Sequence, residues 1–366
     1  MSVLFLNLKT FSDNGGIQKV GRVAGKAIYE YSRQHQEQLK FYSMNDAGGS
    51  ATEPYLPKNI FKGFAGNKAW FVIKSIHQGL KSRVIVLSHI NLLLPAYIVK
   101  LFSKNTRLIL IAHGIEVWRP LSSRNKKMLN LCDIILPVSH FTKEKMKEQH
   151  SIPEERFSVL YNCLDPFLPP PLDATRRFEW RRKYGIEESA VLLMTLSRLT
   201  IHEKNKGYDK VLVAIQKLLP EFPNLKYIFL GKYDSAEKSR LDDLIDKLGI
   251  KGKVIFTGFV PDDELADHYN MCDVYIMPSE KEGFGISFIE AMYYHKPAIA
   301  GNRDGSTGAL LNGRLGLLID PRSQEEISIA IKKIITNITA FTPDRELLMQ
   351  NFSYDVYRER WEEISS

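Results

Sequence analysis

The chain alternates between short apolar segments and longer segments with helical spacing, and it does so in two successive series. Candidate strands lie at residues 3–7, 40–44, 84–88, 108–112, 134–138 and 158–161, and then at 191–196, 227–231, 254–257, 274–277, 298–300 and 316–319. In the first series, helical patterns lie at 17–34, 68–78, 92–102 and 141–150. Regular alternation of strand and helix predicts parallel, doubly wound sheets, so we expect an α/β protein with two of them.

A proline-rich segment separates the two series. Residues 166–173 read Pro-Phe-Leu-Pro-Pro-Pro-Leu-Asp, a stiff stretch that suits a connection between domains. The 366 residues are enough for two domains with separate cores. We therefore predict an N-terminal domain at 1–165, a C-terminal domain at 166–350 and a terminal helix at 351–366. The ligand site is expected in a cleft at the carboxyl ends of the strands.

Positive charge is concentrated in the first half of the chain. Residues 1–165 hold 23 Lys and Arg against 12 Asp and Glu, whereas residues 166–366 hold 27 against 30. From Pro54 to Ile115 there is no acidic residue, although nine Lys and Arg fall in that stretch. Such a field attracts phosphates or an anionic surface. Since no nucleic-acid-binding module is recognisable, we expect no nucleic-acid partner.

The sequence favours a cytoplasmic protein. Its first apolar segment is short and is interrupted at Asn7 and Lys9, which argues against a signal peptide. No window approaches the roughly 18 consecutive apolar residues of a membrane span. Cys132, Cys163 and Cys272 are far apart and lack metal-ligand spacing, so we interpret them as reduced packing residues.

The most informative motif is residues 282–290, which read Glu-Gly-Phe-Gly-Ile-Ser-Phe-Ile-Glu. Glu282 precedes an apparent helix at 286–295, and Glu290 lies in its second turn. A glycine turn that leads into a helix presents unpaired backbone N–H groups, which suit a phosphate. Taken singly, Glu282 favours the positive end of a helix dipole and Glu290 is a surface helix residue. Together they can hold different parts of one ligand.

The spacing of these glutamates, the intervening Gly-Phe-Gly and the following Ala-Met resemble the E-x7-E signature of retaining glycosyltransferases of family 4. The resemblance implies the GT-B fold, in which two Rossmann-like domains face each other across a cleft and the C-terminal helix crosses back to the first domain. It also implies that Glu282 and the glycine amides orient the donor sugar, and that Glu290 binds the ribose. The donor-site residues implied by this segment are Glu282, Gly283, Phe284, Gly285, Ile286 and Glu290.

Further donor-site residues follow the other strands of the second series. Arg198 and Lys206 come after the strand at 191–196 and resemble the Arg and Lys of the family that neutralise the leaving diphosphate. Lys204 competes with Lys206, and a solvated surface charge is the ordinary alternative for each cation. The segment Gly258, Phe259 and Val260 resembles the family loop that flanks the nucleobase.

The first domain carries fewer signals. Gly15 and Gly16 follow the first strand and open a long helix, so a donor phosphate can approach the backbone closely, although a plain turn explains them equally well. The segment is no G-x-G-x-x-G, which argues against a dinucleotide-binding oxidoreductase. His113 ends the strand at 108–112 and resembles the histidine on the catalytic side of the family. His89 occupies a similar position and is its rival.

One loop departs from the family pattern. Many members carry a glutamate in the glycine loop after the strand that follows the E-x7-E helix. Residues 301–309 of this chain read Gly-Asn-Arg-Asp-Gly-Ser-Thr-Gly-Ala instead. We therefore assign this loop no part in the donor site.

The resemblance implies an enzyme, a retaining hexosyltransferase that moves a sugar from a UDP- or GDP-sugar to a glycan or lipid-linked acceptor in cell-envelope polysaccharide or lipopolysaccharide-type biosynthesis. Its catalytic residues would be His113, Arg198, Lys206 and Glu282, with His113 approaching the sugar from the first domain. Because the chain has no D-x-D carboxylate pair, we expect neither a metal nor another cofactor. A GT-B sugar-nucleotide epimerase, a phosphorylase and a non-catalytic nucleotide-sugar-binding subunit remain alternatives.

The basic stretch predicts where the acceptor is met. Residues 61–64 (Phe-Lys-Gly-Phe) and 68–74 (Lys-Ala-Trp-Phe-Val-Ile-Lys) interleave aromatic and basic side chains, as an interfacial helix does on anionic lipid. We therefore expect peripheral contact with the inner face of the cytoplasmic membrane. The alternative is that Trp70, Phe71 and Ile73 are core residues and the lysines form a solvated face.

Overall fold

The computed structural model describes residues 2–171 and 174–365 and contains two compact units. The first unit comprises Met1–Pro166 together with Phe352–Ser366, and the second comprises Phe167–Asn351. The sequence placed the domain boundaries at 165/166 and 350/351. Within the described residues, no helix has the combination of length and apolar character that crossing a bilayer requires.

The first unit is built on a parallel six-stranded sheet with the order β3-β2-β1-β4-β5-β6. The strands are β1 (Ser2–Asn7), β2 (Gln38–Ser43), β3 (Phe61–Gly63), β4 (Val84–Leu87), β5 (Arg107–Ala112) and β6 (Ile134–Pro137). The helices are α1 (Gly16–Gln34), α2 (Lys68–Gly79), α3 (Leu93–Phe102), α4 (Ile115–Trp118), α5 (Ser123–Leu129) and α6 (His140–His150). The central strands are almost wholly apolar because such a sheet is covered on both faces.

The second unit repeats this plan with the order β12-β11-β10-β7-β8-β9. The strands are β7 (Val191–Leu196), β8 (Leu225–Leu230), β9 (Val254–Phe256), β10 (Val274–Met277), β11 (Ala298–Gly301) and β12 (Leu317–Ile319). The helices are α7 (Ala174–Lys183), α8 (Tyr208–Leu218), α9 (Ser235–Leu248), α10 (Leu265–Met271), α11 (Ile286–Tyr293), α12 (Ser306–Ala309), α13 (Gln324–Thr336) and α14 (Arg345–Phe352). The two sheets confirm the predicted doubly wound α/β class.

The last helix, α15 (Tyr354–Ser365), belongs to the first unit. The Tyr354 hydroxyl donates a hydrogen bond to the Glu30 carboxylate of α1 at 2.7 Å. Tyr357 and Trp361 are buried on the same helix. The C-terminal helix therefore completes the core of the N-terminal unit, as the fold prediction required.

Two details of the first sheet differ from the sequence prediction. Residues 158–161 do not form the predicted strand. The amides of Ser158 and Leu160 donate to β6 carbonyls at 3.0 Å, but these hydrogen bonds do not extend into a continuous ladder. Only Phe157 makes an isolated bridge to β6. The prediction also missed β3, whose three residues are too few to show a period of two.

Candidate active site

Each sheet reverses its winding direction beside its first strand, and the candidate donor residues lie at that point in the second unit. β7 pairs with β8 on one side and with β10 on the other. In doubly wound sheets, ligands bind at such a switch point, outside the carboxyl ends of the strands. Arg198 and Lys206 follow β7, and Glu282 follows β10.

The loops after β7 and β10 press against each other at Gly207. This glycine has φ of +74°, and a Cβ there would lie 2.2 Å from the Pro278 carbonyl oxygen. A side chain at this position would therefore collide with backbone. The close approach brings the Lys206 ammonium to the Glu282 carboxylate, with Nζ and Oε2 separated by 2.5 Å.

The Lys206–Glu282 ion pair is largely removed from solvent, with side-chain exposures of 14% and 20%. Burial alone would lower the pKa of Lys206, but the Glu282 carboxylate outweighs it, with smaller contributions from Glu203 and Asp304, and the pKa is raised. Lys206 is therefore a firmly charged cation beside a carboxylate. The rival Lys204 instead contributes its positive charge near Glu237.

Glu282 leads into the glycine turn that starts α11. The Gly283 amide donates back to the Glu282 Oε1 atom at 3.1 Å, and Phe284 is buried. Gly285 caps the helix with φ of +87°, a conformation that favours glycine, and no side chain caps this end. The helix N-terminus, which attracts negative charge, thus begins at Ile286, three residues after Gly283.

Glu290 is buried, so the interpretation of it as a surface helix residue is wrong. Its Oε2 atom accepts a hydrogen bond of 2.8 Å from the Tyr269 hydroxyl. Burial, together with the nearby Glu290 charge, raises the pKa of Tyr269 well above its ordinary value. The two glutamates have different surroundings, because Glu282 faces Lys206 and Glu290 faces a tyrosine.

Arg198 is placed differently from Lys206. Its side chain is 75% exposed, and it forms an ion pair with Glu203 at 3.1 Å. Arg198 therefore lies exposed in the loop at the carboxyl end of β7, where its guanidinium is accessible to an incoming anion. The structure brings Lys206 and Glu282 together and leaves Arg198 on the surface loop beside them.

The loops after β8 and β9 are joined at two glycines. The Gly231 amide donates to the Gly258 carbonyl at 2.9 Å, and both glycines have positive φ. Phe259 is half exposed, and the Lys232 ammonium lies 4.8 Å from its ring centroid. Val260 is buried. The loops after β8 and β9 thus place a cation and an aromatic ring next to the loop after β7.

Sequence reasoning missed Asp304, which lies in the loop after β11. It is fully buried, and its two oxygens accept the Glu282 amide at 2.7 Å and the Ser306 amide at 2.9 Å. Burial, together with the charge of Glu282, raises its pKa to about 6. The available signal was an Asp-Gly-Ser turn after a strand that neighbours β10.

In the first unit, Gly15 and Gly16 open α1, and the loop before them is anchored by Asp46. The buried Asp46 carboxylate accepts hydrogen bonds from three successive amides, those of Thr10, Phe11 and Ser12. Burial would raise its pKa, but hydrogen bonds from the Ser12 and Ser43 hydroxyls and from these amides outweigh it and lower the pKa. The loop is therefore held in place by a charged carboxylate. Gly16 is exposed at its end.

His113 follows β5, and its rival His89 follows β4. The His113 Nε2 atom lies 2.7 Å from the Ser88 carbonyl oxygen, which can only accept, so Nε2 carries the hydrogen. The backbone amide of His113 donates to Glu116 at 2.6 Å. In His89, Nδ1 accepts the Asn91 amide at 3.0 Å, and burial lowers the pKa of this imidazole. Both rings are thus fixed by backbone contacts.

In residues 2–171 and 174–365, no three or more His, Cys, Asp or Glu side chains are grouped so as to hold a metal ion. The expectation of a metal-independent reaction stays a prediction.

Comparisons with known proteins agree with this architecture. Residues 176–347 match the family described as "Glycosyl transferases group 1", and residues 31–166 match "Glycosyltransferase Family 4". An uncharacterized glycosyltransferase of Methanocaldococcus jannaschii, MJ1607, is 28% identical over 233 residues, or 63% of this chain and 57% of that protein. A GDP-mannose-dependent alpha-(1-6)-phosphatidylinositol monomannoside mannosyltransferase of Mycolicibacterium smegmatis is 28% identical over 244 residues, or 63% of this chain and 61% of that protein.

Solved structures extend the likeness over the whole chain. Anabaena Alr3699/HepE in complex with UDP has a TM-score of 0.77 at 19% identity, covering 100% of this chain and 99% of that one. The sucrose-phosphate synthase of Thermosynechococcus elongatus has a TM-score of 0.78 at 16% identity, covering 100% and 98%. At these identities the likeness shows the fold. With both halves matched by glycosyltransferase families, the chain belongs to the family 4 glycosyltransferases and has the GT-B type of fold.

Proposed function

We propose that this protein is a retaining hexosyltransferase that uses a UDP- or GDP-sugar as donor and a glycan or lipid-linked acceptor. The observation that carries the proposal is the buried Lys206–Glu282 pair at the switch point of the second sheet, next to the N-terminus of α11. The UDP complex of the structural neighbour and the GDP-mannose dependence of the mycobacterial relative support a nucleotide-sugar donor.

In the proposed reaction, the donor diphosphate replaces Glu282 as the anionic partner of the Lys206 ammonium. Lys206 then pairs with the diphosphate, Arg198 swings from Glu203 to the same group, and the Glu282 carboxylate is released to accept hydrogen bonds from sugar hydroxyls. Amides of Gly283–Gly285 orient the sugar, while Glu290 binds the ribose and the Phe259 loop flanks the base.

Retention of configuration then follows from attack on the face from which the diphosphate leaves. The bond between the anomeric carbon and the diphosphate oxygen breaks, the acceptor oxygen bonds to the same carbon, and the acceptor proton passes to the departing phosphate. The cations stabilise the charge that develops on that phosphate without a metal. No protein nucleophile is needed in this scheme.

The surface of α2 supports a lipid-linked or anionic acceptor. Phe71 is buried, as the core interpretation holds, but Trp70 and Ile73 are 45% and 56% exposed. The Lys74 ammonium lies 4.5 Å from the Trp70 ring centroid. Aromatic and aliphatic side chains beside lysines suit the interface of an anionic membrane. We therefore propose a peripheral enzyme of the inner membrane face, in cell-envelope polysaccharide or lipopolysaccharide-type biosynthesis.

A ligand screen followed by product analysis tests the donor and the reaction. UDP-, GDP- and ADP-sugars are compared for protection against thermal unfolding, and the product linkage of the best donor is determined by NMR. We expect one base to protect and the anomeric configuration to be retained. Conversion of the sugar nucleotide without an acceptor would identify an epimerase, phosphate-dependent cleavage a phosphorylase, and protection without turnover a non-catalytic binding subunit.

Co-sedimentation with vesicles tests the membrane contact. Replacing Lys62, Lys68 and Lys74 with Gln should weaken binding to anionic vesicles by on the order of a hundredfold, because each lysine near an anionic surface contributes about 1 kcal/mol. A control variant carries the same change at three lysines of the second unit, Lys247, Lys251 and Lys332, and should bind like the wild type. Equal and negligible binding of the wild type to anionic and neutral vesicles would favour a soluble acceptor.

A further inference from the structure

The loop after β11 holds both backbone groups of Glu282. Its residue Asp304 accepts the Glu282 amide at 2.7 Å, and the next residue, Gly305, donates its amide to the Glu282 carbonyl at 2.7 Å. One residue of the candidate site is thus fixed from two sides by consecutive residues of another loop. The two peptide units on either side of the Glu282 Cα each carry one of these hydrogen bonds, so neither can rotate without losing it.

Two glycines make this contact possible. A Cβ at Gly305 would lie 2.0 Å from the Gly283 carbonyl oxygen, and a Cβ at Gly301 would lie 2.1 Å from the Ser279 carbonyl oxygen. Both are contacts with backbone, so a side chain could not be accommodated without moving a loop. The loop after β11 therefore packs against the loop after β10 along its length, from Ser279 to Gly283.

Burying the charged carboxylate of Asp304 at this position is energetically unfavourable. Its carboxyl group is fully buried, and the neighbouring Glu282 carboxylate repels its charge. Lys206 offsets part of this repulsion, since Asp304 and Glu282 both act to raise the pKa of that amine. Two carboxylates and one ammonium thus share the site. A buried group whose charge is disfavoured by its surroundings occurs more often at functional sites than elsewhere.

We propose that Asp304 is a positioning residue for sugar transfer, which fixes the direction of the Glu282 carboxylate and of the Gly283–Gly285 amides by holding the backbone amide of Glu282. The proposal rests on the proposed function for what these groups orient. It gives the loop after β11 a role although the loop lacks the glutamate that many family members carry. Displacing reacting groups by about 1 Å costs about a hundredfold in rate, which sets the scale of the effect.

Asp304→Asn is the most informative variant, because it keeps the shape and one acceptor oxygen but replaces the other acceptor with an NH₂ donor. We expect kcat to fall about 10- to 100-fold while the affinity for the nucleoside diphosphate stays within about twofold, since Lys206 and Arg198 are intact. The melting temperature should be unchanged or higher. Asp267→Asn, which removes a buried carboxylate paired with Arg176, is the matched control and should retain the wild-type kcat.

Hydrogen–deuterium exchange over residues 279–285 provides a readout that needs no turnover. In Asp304→Asn, exchange of the Glu282 amide should accelerate about tenfold or more, and in Asp267→Asn it should not. Unchanged exchange, wild-type kcat, or a loss of nucleoside diphosphate affinity equal to the loss of kcat would overturn the positioning role. If the wild type neither binds nor transfers any sugar nucleotide while exchange responds as expected, the proposed function fails and the coupling of the two loops stands.

Discussion

Breaking the Lys206–Glu282 pair should destabilise the second unit in an asymmetric way. At the observed 2.5 Å and an effective dielectric constant of about 20, the attraction amounts to about 7 kcal/mol. Desolvation of both groups opposes it, and losing one partner of a buried pair typically costs about 3–5 kcal/mol. Because both side chains keep some exposure, we expect Lys206→Met to lower the free energy of unfolding by about 3 kcal/mol.

Removing the charge of Glu282 should lower the free energy of unfolding by less than removing that of Lys206. Lys206→Met leaves two carboxylates, Glu282 and Asp304, close together without a cation, whereas Glu282→Gln leaves Lys206 with Asp304 still nearby. We therefore expect about 2 kcal/mol for Glu282→Gln. The double variant should resemble Lys206→Met, which gives a coupling energy of about 2 kcal/mol.

Calorimetry of the full chain without ligand measures this cycle through the transition of the second unit. A cost of about 3 kcal/mol corresponds to a fall in Tm of about 6–12 °C for a unit of this size. Lys332→Met, at the solvent-exposed pair with Glu221, is the control and should cost less than about 1 kcal/mol. Additivity of the two single changes within about 0.5 kcal/mol would contradict the predicted coupling, because residues in contact must couple.

Four further outcomes are expected. Arg198→Ala should lower kcat by on the order of 10²–10³ with an unchanged Tm, because the exposed side chain supports only a surface ion pair; an unchanged kcat would remove it from the mechanism. Glu290→Gln, which keeps an acceptor for Tyr269, should raise the donor KM more than it lowers kcat. Excess EDTA should leave initial rates intact, and a loss restored by Mg²⁺ or Mn²⁺ would contradict metal independence. Since the pKa of Asp304 is raised to about 6, wild-type stability relative to Asp304→Asn should be lowest above pH 6 and should recover as the pH falls toward 4, in Tm measured for both proteins.

Local pattern was sufficient for the fold and for the segment around Glu282. Buried parallel strands are near-continuous apolar runs, so β7 and β10 were predicted with the bounds that the structure shows. Glu282 is recognisable because its signature is local in sequence and ends in a helix start. Where pairing is short or incomplete, as in β3 and at residues 158–161, periodicity carried too little information.

The surroundings of the site residues could not be predicted in this way. The contact of Glu290 with Tyr269 spans 21 positions, and that of Asp304 with Glu282 spans 22, so neither lies within any helical or strand period. The contact of Lys206, and not of Lys204, with Glu282 likewise depended on how Gly207 packs against Pro278. In α2, Phe71 is buried whereas Trp70 and Ile73 are exposed. Predicting this difference requires knowing which face of the helix packs on the sheet.

The position of α15 has a consequence for how the protein is made. The N-terminal unit needs Tyr357 and Trp361 in its core, yet the ribosome adds them only after the whole second unit. At about 5–20 residues per second, the intervening synthesis takes roughly 10–40 s. During that time the first unit lacks α15, and the surface of α1 on which α15 will pack is uncovered. The second unit is continuous in sequence and can already fold. The half of the molecule that is synthesised first is therefore completed last.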